Sequence, residues 1–118
     1  MDVSIISRED LKKMIDSKEG YVLIDVREPY EIEKYGAIPT SHNVPLGEIP
    51  QDLELSEKDF EKKYGFEINK EVKLIFYCRS GGRSDQAATL AKSKGYNAIN
   101  YIGSILDWAD IDQNVKKY

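Results

Sequence analysis

The chain has 118 residues, 41% hydrophobic and 32% charged, which suits one domain with a buried core under a solvated surface. Lys and Arg number 17 against 21 Asp and Glu, and the net charge of −4 argues against the basic footprint of a nucleic-acid or membrane-surface binder. One cysteine and one histidine exclude an internal disulfide, a Cys-rich zinc site and a multi-histidine metal centre, and no apolar run nears the ~20 residues of a membrane-spanning helix.

In chain order, Val3 to Ile6 reads as a short strand. Ser7-Arg-Glu-Asp10 then has the spacing of a helix cap, opening a face of Leu11, Met14 and Ile15, with Gly20 just past the end. Tyr21-Val-Leu-Ile-Asp25 is a β-branched run of the kind buried in parallel sheets, and Glu28-Pro29 starts a helix. Residues 36–51, with Pro39, Pro45 and Pro50, form the longest irregular stretch, broken only by a short strand around Asn43-Val44; His42 reads as a loop residue. Ser56-Glu-Lys-Asp59 repeats the capping pattern before Phe60 and Tyr64, with Gly65 closing that helix. Val72 to Tyr77 and Ala98 to Ile102 read as strands, flanking a helix from Ser84 to Lys94, and a last helix runs from Ser104 to about Asp110. Alternating strands and helices predict an α/β fold of three layers, with a mainly parallel sheet of about five strands in a single domain over 1–118. The acidic start, with Asp2, Glu9, Asp10 and Asp16, lacks the basic-then-apolar pattern of a secretory signal and reads as cytoplasmic; a mitochondrial location would follow if a presequence had been removed.

The segment that carries chemistry is Cys78-Arg79-Ser80-Gly81-Gly82-Arg83-Ser84. A buried strand ends in cysteine, and a glycine-containing turn leads into a helix, the position beyond the carboxyl edge where open α/β sheets bind ligands. Glycine backbone can turn several N–H groups inward, the helix adds its positive end, and Arg79 and Arg83 add two cations. All of these favour an anion, first of all the thiolate of Cys78, which reads as an exposed nucleophile. The spacing Cys-x4-Arg makes a smaller ring than the Cys-x5-Arg cradle of cysteine phosphatases and arsenate reductases, and it suits one added sulfur atom better than a tetrahedral phosphate. Asp25 and Arg27 follow a strand end close to the cradle and read as support, with Asp25 pairing an arginine or a loop amide. Trp108 and Tyr101 read as core.

These motifs resemble the rhodanese sulfurtransferases along nearly the whole chain. Leu23 to Glu31 looks like the family's first box, and Gly36-Ala-Ile-Pro-Thr-Ser-His-Asn-Val-Pro45 like its second. Cys78 to Ser84 looks like the active-site loop, and Gly95-Tyr96 with Tyr101-Ile-Gly-Ser104 and Asp107-Trp108 like the closing boxes. The segment Phe60 to Gly65 is similar to single-domain eukaryotic thiosulfate sulfurtransferases. Ala37 and Thr40 depart from the family's usual histidine and glycine. The resemblance implies a ping-pong reaction: Cys78 takes the outer sulfur of thiosulfate as a persulfide held by residues 79–83, then yields it to glutathione, thioredoxin, another thiol or cyanide. Thiosulfate is preferred to mercaptopyruvate as donor because of the loop's composition. A carrier loaded with persulfide by a partner protein is the alternative, ahead of a small phosphatase or arsenate reductase and of an inert interaction module. No cofactor, metal, nucleic acid or membrane is expected, and the chain is expected to be a monomer.

Overall fold

The computed structural model describes residues 3–118. Five strands, β1 (Ser4–Ile5), β2 (Tyr21–Asp25), β3 (His42–Asn43), β4 (Lys73–Tyr77) and β5 (Asn97–Asn100), form one sheet in the order β1-β5-β4-β2-β3, and every pairing is parallel. The helices are α1 (Arg8–Ser17), α2 (Pro29–Tyr35), α3 (Ile49–Asp52), α4 (Glu57–Tyr64), α5 (Gly82–Ser93) and α6 (Ser104–Trp108).

The capping signals place helix starts correctly because the orphan N–H groups of a first turn need an acceptor. Ser7 Oγ accepts from the Asp10 amide at 3.1 Å, and Ser56 Oγ accepts from the Asp59 amide at 3.1 Å. At the end of α1 the left-handed cap is Lys18, whose N–H reaches the Met14 carbonyl, so Gly20 lies two residues beyond it. Residues 36–51 are more regular than their prolines suggest: they hold β3, a 3-10 turn at Leu46–Glu48 and the start of α3. His42 is therefore a strand residue, paired with Ile24.

Alternation along β4 builds two cores. Leu74, Phe76 and then Cys78 face one layer with Ile49, Phe60, Ala87, Ala88 and Ala91 from α3, α4 and α5. Ile75 and Tyr77 face the other, with Leu11 of α1 and Ile105 and Trp108 of α6. Tyr101 and Trp108 are core residues on that side, their rings edge to face at 6.4 Å. The chain turns from β2 to β3 in one direction and from β4 to β5 in the other, so the order reverses between β2 and β4. The carboxyl ends of those strands, at Asp25 and Tyr77, open the crevice where such sheets bind ligands.

Candidate active site

Cys78 follows the last residue of β4, and the turn that holds it is short because α5 begins at Gly82, two residues earlier than its apolar pattern suggests. Gly81 is the left-handed cap of α5, with φ of 97°, and a Cβ there would stand 2.6 Å from the Ile102 carbonyl oxygen. Only glycine meets both demands. Its reward is aim: the Gly81 amide donates to Cys78 Sγ at 3.0 Å, and Ser84 Oγ lies 3.4 Å from the same sulfur.

Cys78 is 1% exposed, so its thiol is buried and not exposed as the sequence reading expected; the turn folds over the sulfur. Burial alone would push the thiol's pKa up. The Ser84 hydroxyl and the amides of Ser84, Gly81 and Ser80 outweigh it, so the thiol lies below its ordinary value. The positive end of α5 acts in the same sense. The backbone of Cys78 is fixed from the other side by Ser104, whose Oγ accepts the Cys78 amide at 3.1 Å and donates to the Tyr101 carbonyl at 2.8 Å. Ser104 takes φ of 54°, a conformation that costs a non-glycine residue on the order of 1 kcal/mol. Asn100 Nδ2 reaches the Gly81 carbonyl at 3.3 Å.

The two loop arginines have different surroundings. Arg83 donates through Nη1 and Nη2 to the two oxygens of Glu31, at 2.7 and 3.0 Å. Glu31 is nearly buried, and these donors hold its carboxyl at about 2 against the upward push of burial. Arg79 lies exposed, its guanidinium 4.9 Å from the centroid of the Tyr118 ring.

Asp25 and Arg27 are both fully buried and pair with each other at 2.6 Å. The contacts with Asp25 keep Arg27 charged despite the opposing effect of burial. Arg27 also donates to the Gly36 carbonyl at 2.8 Å and to Tyr118 Oη at 3.2 Å, and Tyr118 Oη donates to Glu31 at 2.8 Å. The pair therefore reaches the loop indirectly, through Tyr118, Glu31 and Arg83. His42 takes no part: its ring stacks on Phe66 at 3.9 Å and lines a cavity with Lys18 and Tyr21, beside the opposite end of β2.

Sequence reasoning missed Glu31, Ser104, Asn100 and Tyr118. The spacing Glu28-x-x-Glu31 does signal a helix start, and Glu31 duly accepts the Glu28 amide at 2.9 Å. Nothing local reveals that the same carboxylate meets an arginine 52 positions away.

Residues 7–111 match the family described as the rhodanese-like domain. Thiosulfate:glutathione sulfurtransferase of Saccharomyces cerevisiae is 40% identical over 110 residues, covering 91% of this chain and 78% of that protein. The mitochondrial thiosulfate sulfurtransferase RDL2 of the same yeast is 43% identical over 89 residues, covering 74% of this chain and 59% of that one. Its crystal structure superposes with a TM-score of 0.81, at 34% identity over 98% of this chain and 97% of that chain. The human single-domain sulfurtransferase TSTD1 superposes at 0.84, with 31% identity over 93% and 98% of the two chains. A buried, amide-held cysteine at the switch point of an all-parallel sheet and a family match over most of its length agree: this chain belongs to the rhodanese-like domain family.

Proposed function

We propose that the protein is a thiosulfate sulfurtransferase that works through a persulfide on Cys78. The observation that carries the reading is the cradle itself: a buried sulfur met by the Gly81 amide at 3.0 Å and the Ser84 hydroxyl at 3.4 Å. The cradle favours an anionic sulfur without a general base. The Cys78 thiolate attacks the outer sulfur of thiosulfate, a Cys78 S–S bond forms, and the S–S bond of the donor breaks with its electron pair leaving on sulfite. The terminal sulfur of the resulting persulfide carries the negative charge, which the loop N–H groups and the α5 terminus stabilise. A thiolate acceptor then attacks that terminal sulfur, takes it as its own persulfide and returns Cys78 as thiolate. With no second cysteine in the chain, turnover consumes an external acceptor such as glutathione, thioredoxin or cyanide. Support for thiosulfate as donor and glutathione as acceptor comes from the names of the relatives.

The test is the intact mass of the reduced protein after brief exposure to thiosulfate, beside a Cys78→Ala control. A gain of about 32 Da on the wild type alone, reversed by glutathione with sulfite released, is the expected result. No gain from thiosulfate refutes the donor, and loading by glutathione persulfide in its place would make the chain a persulfide carrier. Fractionation of cells decides between the cytosol and the mitochondrion, the location in the name of the RDL2 relative, and sedimentation tests the monomer.

A further inference from the structure

The final residues of the chain run along the rim of the active site. Val115 is buried in the same core as Leu11 of α1 and Ile105 and Trp108 of α6, and the Lys116 amide donates to the Tyr35 carbonyl at 2.9 Å. The approach is close enough that a Cβ on Gly36, whose φ is 86°, would stand 2.4 Å from the Asn114 carbonyl oxygen. The segment is thus docked by core burial, a backbone hydrogen bond and a glycine that leaves it room. It delivers Tyr118, whose ring lies parallel to that of Tyr35 with centroids 3.7 Å apart. The Tyr118 hydroxyl bridges Arg27 and Glu31, which fixes the ring's rotation as well as its position.

Arg79 rests on this ring. A guanidinium held by an aromatic face keeps its N–H edges available for an anion, whereas one held by a carboxylate has donors engaged and its charge offset. Arg83 is in the second condition, bidentate on Glu31. Arg79 meets Tyr118 through its π-face, next in sequence to the nucleophile.

We propose that Tyr118 is a positioning residue for the reaction: its ring holds Arg79 at the mouth of the cradle, where the guanidinium receives the anionic end of the sulfur donor, while Arg83 serves to anchor the loop to Glu31. Tyr118 itself lies beyond residue 111, where the family match ends, and the residues it holds lie within that match. The proposal rests on the sulfurtransferase reading for its consequence in turnover, but its geometry can be tested without turnover.

The experiment compares the rates at which iodoacetate, an anion, and iodoacetamide, its neutral counterpart, alkylate Cys78, the single cysteine. The ratio of the two rates reports the cation at the mouth, and iodoacetamide alone reports the thiolate. Tyr118→Leu is expected to lower the ratio roughly twofold to fivefold with the iodoacetamide rate unchanged, the span of a cation–π contact at an exposed site. Arg79→Gln is expected to lower it at least as far. Tyr118→Phe, which keeps the ring, is expected to retain most of the ratio. In thiosulfate turnover Tyr118→Leu raises KM more than it lowers kcat. An unchanged ratio in Tyr118→Leu while Arg79→Gln loses it would overturn the role of Tyr118, and an unchanged ratio in both would overturn Arg79 as the anion's partner. A fall in the iodoacetamide rate equal to that of iodoacetate would mean that the cradle itself is disturbed and would also count against the proposal. If the ratios behave as expected but thiosulfate does not load Cys78, the positioning stands and the donor assignment fails.

Discussion

Replacing Ser84 by alanine tests the idea that donors, and not a base, activate the thiol. Ser84 is fully buried in the first turn of α5, and its hydroxyl lies 3.4 Å from Cys78 Sγ. A hydrogen bond to a charged partner contributes roughly 1.5–3 kcal/mol, and the length of this contact puts it near the lower end. At 1.36 kcal/mol per unit, the loss of about 1.5 kcal/mol raises the thiol pKa by about one unit. The direction follows from what is lost: burial still disfavours the thiolate, and one of the donors that oppose it is gone. Below the pKa the thiolate fraction, and with it the alkylation rate, therefore falls up to about tenfold. Iodoacetamide alkylation as a function of pH reads the midpoint directly, since no other cysteine contributes. Removing one methyl-sized hydroxyl from a folded helix leaves the fold intact, which far-ultraviolet circular dichroism checks. An inflection that stays in place, or moves down, would refute the account and shift the activation to the α5 terminus and the amides alone.

Asp25→Asn leaves the fully buried Arg27 without its carboxylate, and breaking such a pair costs about 3–5 kcal/mol in urea unfolding; a loss below about 1 kcal/mol would show that Arg27 finds another anion. Glu31 sets an acid limit on the loop. Its carboxyl sits at about 2 in the folded protein against an ordinary 4.5, so its contribution is fully present above 4.5 and is lost as pH falls from there towards 2. The contribution is about 2 kcal/mol, below the full linkage value because the Arg83 side chain is 34% exposed. Glu31→Gln should therefore be less stable than the wild type near neutral pH, with the gap narrowing below about pH 4.5 and closing towards pH 2 in denaturant titrations; a gap that is constant with pH would deny that the charge matters.

Local chemistry legible in the sequence decided much of this protein. Ser7 and Ser56 announce their helices because a first turn needs acceptors, and the runs at Tyr21 and Val72 announce buried strands because parallel sheets are covered on both faces. The loop from Cys78 to Ser84 is readable for the same reason, since glycine, helix start and cysteine are contiguous. The departures in burial and charge pairing are matters of long-range contact. The pairing of Arg83 with Glu31 spans 52 positions, and the link from Arg27 to Tyr118 spans 91. Whether an arginine's donors are engaged or available depends on what the fold places opposite it, and side-chain type does not encode that. The burial of Cys78 is similar: the turn's glycines predict close approach, but only the packing of Ile102 and Ser104 against the loop decides that the approach closes over the sulfur. Sequence alone thus located the sheet's strands and the turn that carries Cys78, because each depends on neighbours within a few residues. Tertiary structure decided the different surroundings of Arg79 and Arg83 and the contacts of Tyr118, because a charge takes its value from partners that only folding brings near.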